Sequence, residues 1–275
     1  MLARAAQVGR DAALAAGALL RRNYLKPHQV TLKGAIDPVT ESDLKAQQLI
    51  LALIFKAFPD HGILAEEKMG EGGLEGGQGT SFPVPPPKTS TPSPYRWIID
   101  PLDGTVNFAH GFPMFCVSIA LEAEGNLEYG VVYDPLRDEL FEGRKGQGAT
   151  LNGNPIRVSR TDRLDRALLA TGFPYDIRER LPGTLARLGR MLGLAQGVRR
   201  AGSAALDMCY VACGRLDGFW EDHLKPWDTA AGLLIITEAG GRITTFSGGP
   251  YDIYSLNIVA TNNILHEQIV AQLQV

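Results

Sequence analysis

The segment Arg96-Trp97-Ile98-Ile99-Asp100-Pro101-Leu102-Asp103-Gly104-Thr105 joins an apolar stretch to an acidic loop. The run from 96 to 100 predicts a buried strand. Pro101 fixes its own φ angle and favours an extended Asp100, while Gly104 permits a positive φ or a close backbone approach. Two aspartates three residues apart on such a loop can face neighbouring metal ions. Taken alone, Asp-Pro and Asp-Gly are equally typical of an ordinary turn.

Three further acids stand at the ends of predicted elements. Asp43 lies at a helix start, Glu66 follows the apolar run 62–65, and Asp228 opens another apolar helix. Carboxylates that converge unpaired in a buried site repel each other, so their convergence would imply cations. Oxygen ligands suit Mg²⁺ or Mn²⁺, and no histidine or cysteine cluster accompanies the acids to suggest zinc. The simpler alternatives are an N-cap role for Asp228 and a solvated pair for Glu66 and Glu67.

Hydrophobic periodicity predicts alternating helices and strands along most of the chain. Helices are expected at 2–25, 41–58, 178–193, 203–213, 227–239 and from about 263, and strands at 62–65, 96–100, 114–122, 127–133, 138–142, 168–170, 217–220 and 258–260. We therefore expect a single layered unit, with an α+β half at about 1–160 and an α/β half at about 161–275. Gly-rich and Pro-rich clusters at 68–94 predict an exposed, mobile insertion.

Composition and charge narrow the functional classes. The chain has 275 residues, of which 45% are hydrophobic and 21% charged, as is typical of a globular protein. A formal net charge of −3 gives no overall basic field, so no nucleic-acid partner and no membrane partner is expected. Arg10 and Asp11 interrupt the N-terminal apolar stretch and argue against a targeting segment. The three cysteines form no Cys-x-x-Cys pair, which favours a reducing, cytoplasmic setting.

The sequence around the acidic loop carries a family resemblance. Residues 97–108 (WIIDPLDGTVNF) resemble the first signature of the inositol monophosphatase family, and residues 227–232 (WDTAAG) resemble the second. The resemblance extends to 37–43, 62–67, 202–205 and Glu221, and apart from the insertion it covers nearly the whole chain. It implies an α+β fold, a layered α-β-α-β-α sandwich of the sugar phosphatase type, and a homodimer.

The resemblance also implies a magnesium site. Glu66, Asp100 and the carbonyl group of Leu102 would hold one ion, and Asp100, Asp103 and Asp228 would hold a second. Glu66 would also touch a third ion, so two or three Mg²⁺ ions are implied, with Mn²⁺ as the alternative metal.

The implied catalytic residues are Asp43, Thr105 and Glu66. Asp43 and Thr105 would orient and deprotonate a metal-bound water that attacks phosphorus in line, without a covalent intermediate. Lys33 is implied to lie on a mobile loop that closes over the metals. The implied substrate-binding residues are Leu102, Asp103, Gly104, Thr105, Gly202, Ser203, Ala204, Glu221 and Asp228.

The residues after Gly104-Thr105 bear on the substrate. Relatives that act on histidinol phosphate or phosphoadenosine phosphate often have lysine or arginine there, whereas this chain has Val106-Asn107-Phe108, similar to the inositol phosphatases. A phosphate monoester of a small polyol is expected, with inositol monophosphate first and fructose bisphosphate, alone or in a dual-specificity enzyme, as the runner-up. Lithium sensitivity is implied as well. A non-catalytic, cation-binding regulatory protein is the alternative from another class, and the intact set of acids speaks against it.

The other polar residues carry simpler interpretations. The five histidines match no ligand spacing and are expected to be structural or on the surface. Arg199 and Arg200 could face a substrate phosphate, but paired arginines are usually solvated or salt-bridged. Cys209 and Cys213 lie four residues apart on a predicted helix, where small buried side chains are the expected role.

Overall fold

The computed structural model describes residues 1–26, 30–32, 38–67 and 93–274. The predicted Lys33 loop and most of the predicted insertion at 68–94 lie outside these residues. The helices are α1 (Leu2–Asn23), α2 (Glu41–Ala57), α3 (Thr105–Ala109), α4 (Ile177–Leu194), α5 (Ala204–Ala212), α6 (Pro226–Glu238) and α7 (His266–Leu273). The strands are β1 (Val30–Leu32), β2 (Pro38–Thr40), β3 (Gly62–Ala65), β4 (Tyr95–Asp103), β5 (Cys116–Ala123), β6 (Asn126–Asp134), β7 (Glu139–Arg144), β8 (Gly148–Leu151), β9 (Asn154–Pro155), β10 (Leu168–Thr171), β11 (Gly197–Arg199), β12 (Gly218–Asp222), β13 (Arg242–Thr244) and β14 (Asn257–Thr261).

The larger sheet has seven strands in the order β3-β4-β5-β6-β7-β8-β9. Only the β3–β4 pair in it is parallel, and the antiparallel meander predicted from the sequence forms its centre. Successive side chains of a strand point to opposite faces. Trp97 and Ile99 of β4 therefore pack with α1 and α2, whereas Ile98 packs with α5 and α6 on the other face.

The smaller sheet has five strands in the order β11-β10-β12-β14-β13. β11, β10 and β12 are parallel, and β14 runs antiparallel to both of its neighbours. Phe219 and Ala260 of this sheet pack with α5 and α6, whereas Trp220 and Val259 pack with α7 on the opposite face.

The two sheets and the helices form five layers. α1 and α2 cover the outer face of the larger sheet, α5 and α6 lie between the sheets, and α4 and α7 contact each other on the outer side of the smaller sheet. The predicted α-β-α-β-α sandwich is therefore confirmed. No helix among the described residues is long and apolar enough to span a membrane.

The differences between prediction and structure lie in short elements and at element ends. β8, β9, β11 and β13 have two to four residues each and lack the apolar run that marks the equally short β3 and β10 in the sequence, and they form by pairing with neighbouring strands. The strand predicted at 96–100 runs on to Asp103, with an irregular register against β5 between Asp100 and Asp103. The acidic loop is therefore a bulge within β4 rather than a turn that follows the strand.

The N-terminus of α2 is fixed by local hydrogen bonds. The Thr40 hydroxyl accepts a hydrogen bond from the Ser42 N–H at 3.1 Å, and the Asp43 carboxylate accepts one from the Thr40 N–H at 2.9 Å. This reciprocal arrangement is a capping box, which satisfies donors that a helix end otherwise leaves free. It also orders the backbone that carries Asp43, whose side chain is fully buried.

Buried His266 provides a pH-dependent contribution to stability. Its Nε2 lies 2.9 Å from the hydroxyl of Thr244, which itself donates to the Thr245 carbonyl, so Nε2 carries the hydrogen and donates it. Nδ1 lies 2.9 Å from the Thr261 hydroxyl and accepts its hydrogen. Burial and the nearby positive charge of Arg242 lower the pKa of His266 to about 4. The neutral ring is thus the form that the fold accommodates.

We expect His266 to make the protein lose stability on acidification between pH 6.5 and about 4. In that window the unfolded chain binds a proton that the folded chain excludes, so the free energy of unfolding falls as pH falls, by about 3 kcal/mol at most. Urea unfolding of the wild type and of His266→Gln at pH 7.5 and pH 5 measures this. The variant should be less stable at pH 7.5 but should lose less on acidification; equal losses would contradict the assignment.

Candidate active site

A cavity of about 570 Å³ opens where β4, β10 and β12 end and where α3, α5 and α6 begin. Four of the five acids singled out in the sequence lie on its wall: Glu66, Asp100, Asp103 and Asp228. They come from separate parts of the sequence, and the convergence of strand ends with helix starts brings them together.

The acidic loop is held by contacts within its own backbone. The carboxylate Oδ1 of Asp100 accepts a hydrogen bond from the Leu102 N–H at 3.0 Å. Gly104 has a φ of +92°, and a Cβ atom there would lie 2.8 Å from the Met114 carbonyl oxygen. Both the backbone angle and the close approach require glycine at this position. Helix α3 begins at the next residue, Thr105, which is 5% exposed.

Asp103 is anchored to the first turn of α5. Its Oδ2 accepts hydrogen bonds from the Ser203 hydroxyl at 2.6 Å and from the Ala205 N–H at 2.8 Å. The thiol of Cys116 lies 3.7 Å from the same oxygen. A carboxylate is stabilised at a helix N-terminus by the unpaired N–H groups and the positive end of the helix dipole. The contact with Ser203 joins residues 100 positions apart in the chain.

Asp43 lies behind the cavity wall, in contact with Thr105. The Thr105 hydroxyl donates to Asp43 Oδ1 at 3.0 Å and lies 2.9 Å from the Leu102 carbonyl oxygen. The Thr40 N–H and hydroxyl both donate to Asp43 Oδ2, at 2.9 and 2.5 Å. Burial raises the pKa of Asp43 to about 6, because removal from water outweighs these hydrogen bonds, which favour the charged form.

Asp228 and Glu66 also line the cavity. Lys225 is the N-cap of α6, and Asp228, three residues later, accepts a hydrogen bond from the Lys225 N–H at 2.6 Å. The N-cap alternative for Asp228 was therefore wrong, although the residue does help to cap the helix. Glu66 lines the cavity, whereas Glu67 is buried and its backbone N–H and carbonyl bond the Gln47 side chain. The solvated-pair alternative was also wrong.

The electrostatics of the cavity favour positive charge. Burial raises the pKa of Asp100 well above its usual value, and Glu66, Asp103 and Asp228 raise it further by their negative charges. Burial also raises the pKa of Asp228, with Asp103 the largest charged contributor. No three acidic, histidine or cysteine side chains in the described part of the chain converge on one point as a metal cluster. The acids are instead spread around the cavity wall, where each acts on the others through its charge.

Further predicted substrate contacts line the same cavity. Gly202 and Ala204 line the cavity at the start of α5, and Glu221 lines it at the end of β12. Glu221 is 8% exposed, so it is not a solvated strand end. Asp43 and Ser203 do not line the cavity, but they contact Thr105 and Asp103, which do.

Gly172 makes room for Glu221. A Cβ atom at Gly172 would lie 2.0 to 2.2 Å from the carboxylate atoms of Glu221, closer than any real contact. We expect Gly172→Ala to displace the Glu221 carboxylate and to raise KM for a polyol phosphate by about tenfold, the cost of a lost charged hydrogen bond. Steady-state kinetics and a thermal unfolding curve measure this.

Gly189 provides the matched control, because it lies on α4 and a Cβ atom there meets nothing within 4 Å. Gly189→Ala should leave KM unchanged and raise stability slightly, since alanine favours a helix over glycine. If Gly172→Ala also leaves KM unchanged, Glu221 does not contact the substrate.

Several site residues escaped the sequence analysis. Asn107 donates to the carbonyl oxygens of Met114 at 2.7 Å and Ala201 at 2.9 Å, and so ties the loop after β4 to the start of α5. The role of Gly172 depends on a contact with Glu221 that no local pattern reveals. Asp207 lines the cavity from α5, and a single acid in an otherwise apolar helix was a signal that could have found it.

His223 and Arg200 also line the cavity. The guanidinium group of Arg200 lies 5.4 Å from the centre of the Phe173 ring. In contrast, His61 and His266 are buried among aromatic and threonine side chains and are structural, as predicted.

Comparison with known proteins agrees with the geometry. The model of the inositol monophosphatase family matches residues 1–275. The inositol-1-monophosphatase of Synechocystis sp. is 44% identical over 264 residues, which are 96% of this chain and 86% of that protein. The Nus factor SuhB of Escherichia coli K12 is 44% identical over 253 residues, 91% of this chain and 88% of that protein.

A solved structure also shares the fold. The extragenic suppressor protein SuhB of Bartonella henselae superposes with a TM-score of 0.87 at 41% identity, covering 98% of this chain and 97% of that chain. Sequence and fold thus agree over almost the full length. The chain belongs to the inositol monophosphatase family and is a phosphoric monoester hydrolase.

Proposed function

We propose that this chain is a magnesium-dependent phosphatase that hydrolyses inositol monophosphate to inositol and phosphate. The observation that carries the proposal is the placement of Glu66, Asp100, Asp103 and Asp228 around one cavity, with the Thr105–Asp43 pair at its edge. Buried acids of this number need compensating positive charge. A phosphate monoester is also an anion. Bound metal cations would therefore balance the negative charge of both the buried acids and the substrate.

The donor set fits magnesium. Every candidate ligand is an oxygen atom, the type that Mg²⁺ and Mn²⁺ prefer. The hydrogen bonds to Asp100, Asp103 and Asp228 fall on Oδ1, Oδ2 and Oδ2 respectively, so one oxygen of each carboxylate is fixed and the other can bind a cation. Glu66, Asp100 and the Leu102 carbonyl would hold one ion, and the three aspartates a second. Bound magnesium would neutralise phosphoryl charge and make water a better nucleophile.

The chain's own residues supply the proton path and the phosphate contacts. Thr105 would accept a proton from the attacking water as it passes its own hydrogen to Asp43, the partner that it already contacts at 3.0 Å. The backbone N–H groups of Gly104 and Thr105 would bind phosphate oxygens at the start of α3. This arrangement needs no covalent intermediate.

The leaving polyol would lie against the opposite wall. Gly202 and Ala204 present backbone groups there, and Glu221 presents a carboxyl group that accepts hydrogen bonds from ring hydroxyls. The Synechocystis relative supports inositol monophosphate as the substrate by its name. Fructose bisphosphate is the runner-up, followed by histidinol phosphate and phosphoadenosine phosphate. A cytoplasmic homodimer remains part of the proposal.

A phosphate-release assay tests the function. The purified chain with Mg²⁺ is assayed on inositol monophosphate, fructose bisphosphate, histidinol phosphate and phosphoadenosine phosphate, and the values of kcat/KM are compared. We expect the highest value for inositol monophosphate and inhibition by lithium at millimolar concentration. No release from any of the four would contradict the proposal. If another substrate has the highest kcat/KM, that substrate replaces inositol monophosphate in the proposal.

A second candidate function is a binding role without turnover. The observation that favours it is the name Nus factor SuhB, which the Escherichia coli relative carries and which is not an enzyme name. Preservation of all six polar groups (Asp43, Glu66, Asp100, Asp103, Thr105 and Asp228) favours catalysis instead. The same assay separates the two, since a protein that only binds releases no phosphate.

A further inference from the structure

A buried carboxyl group on the cavity wall has no role in the proposed reaction. Asp207 lies on α5, whose other residues from 204 to 212 are apolar apart from the tyrosine at 210. It is 2% exposed and lines the cavity. Among the described residues, no group donates a hydrogen bond to its side chain. A carboxyl group in this setting is costly, because it gives up its contacts with water and receives no partner in exchange.

The position of Asp207 on α5 relates it to Ser203. Ser203 and Asp207 are four residues apart, and such residues lie on one face of a helix about one turn from each other. The Ser203 hydroxyl donates a hydrogen bond to Asp103, a candidate metal ligand. Asp207 therefore lies one helical turn beyond the residue that contacts this ligand. The negative charge of Asp207 also acts on Glu221, the proposed hydroxyl-binding residue. Asp207 and Glu221 therefore line the same cavity, close enough for the charge of one to act on the other.

Arg200 is the positive charge near both acids. It lowers the pKa of Asp207 and of Glu221 against the larger, opposing effect of burial. Its guanidinium group is held over Phe173, another residue of the cavity wall. The cavity that holds the two buried acids thus also has one exposed arginine on its wall.

We propose that Asp207 is a substrate-specificity residue: its carboxyl group forms a hydrogen bond with a ring hydroxyl of the polyol. This inference rests on the proposed phosphatase function. A hydroxyl group can donate to a carboxylate or accept from a carboxylic acid, so a polyol satisfies Asp207 in either protonation state.

The test compares two substrates in wild type and Asp207→Leu: inositol monophosphate, and phenyl phosphate, which has no ring hydroxyls. Leucine is similar in size to aspartate but neither donates nor accepts a hydrogen bond. We expect kcat/KM for inositol monophosphate to fall at least about tenfold more than kcat/KM for phenyl phosphate, chiefly through KM, as for the loss of a hydrogen bond to a carboxyl group. Asp207→Asn, whose amide can still bond a hydroxyl, should lose less.

Two controls keep the outcomes distinct. Asp165→Asn removes an exposed aspartate from the same half and should change none of the ratios. Asp207→Ala, with thermal unfolding of each variant, serves if the leucine variant does not fold. Equal losses on both substrates would identify Asp207 as merely structural, and an unchanged kcat/KM for both would exclude contact with substrate; both overturn the inference while leaving the phosphatase proposal intact. Failure of the wild type on every substrate would overturn both.

Discussion

Replacement of Asp103 by asparagine is expected to lower kcat for phosphate release by about 10³-fold while leaving the fold intact, comparable to the loss of a charge-stabilising group in other active sites. Asparagine is nearly isosteric with aspartate, and its carbonyl oxygen can accept the hydrogen bonds that Ser203 and Ala205 donate to Oδ2. What the change removes is the negative charge that would hold a cation. The position of α5 should therefore survive although turnover does not.

Two measurements separate loss of metal from loss of structure. Magnesium that binds only the folded state raises Tm, so the wild type should show a magnesium-dependent rise that is smaller in Asp103→Asn. Asp217→Asn is the matched control, because Asp217 is also buried and accepts from a hydroxyl, that of Ser159 at 2.5 Å, and from a backbone N–H, that of Leu168 at 2.7 Å. It should lower Tm but retain kcat. Wild-type activity in Asp103→Asn would refute the assignment of Asp103 as a metal ligand.

The layered fold could be predicted because its longer elements have clear periodic patterns. α2 is an example, since a capping box at Thr40 precedes apolar residues at helical spacing. The short strands β11 and β13 could not be predicted, because each has only one apolar residue among its three. Their existence follows from the edges of β10 and β14, against which they pair. Local patterns specify long elements, whereas the sheet specifies short ones.

In the candidate site, too, local patterns identify some residues, whereas long-range contacts determine the others. The five acids were found because each stands at the end of a patterned element, and the structure places four of them on one cavity with Asp43 behind Thr105. The partners that orient them come from distant parts of the chain. The Ser203–Asp103 contact spans 100 positions and the Asn107–Ala201 contact spans 94, so neither was visible as spacing. The roles of Gly172 and Asp207 likewise depend on neighbours that only the folded cavity wall brings close.

Replacement of Asp43 by asparagine is expected to lower kcat by about 10²-fold or more, as for loss of a general base. The asparagine oxygen can take the place of Oδ2, where the Thr40 N–H and hydroxyl donate, so the N-terminus of α2 should persist. The amide nitrogen then faces Thr105 and cannot accept its hydrogen. Thr105 keeps its contact with the Leu102 carbonyl but loses the group that would receive a proton.

The pH dependence of kcat separates a catalytic role of Asp43 from a structural one. A carboxyl group whose pKa is about 6 is charged above that pH and loses its charge below it, so the wild-type kcat should fall as pH drops through about 6. The residual rate of Asp43→Asn should lack this decline. Stability should behave in the opposite way, because a carboxyl group whose pKa is raised on folding destabilises the fold once ionised. The variant should therefore be no less stable than the wild type at pH 7.5, and a lower stability with an unchanged pH profile would make Asp43 a structural residue.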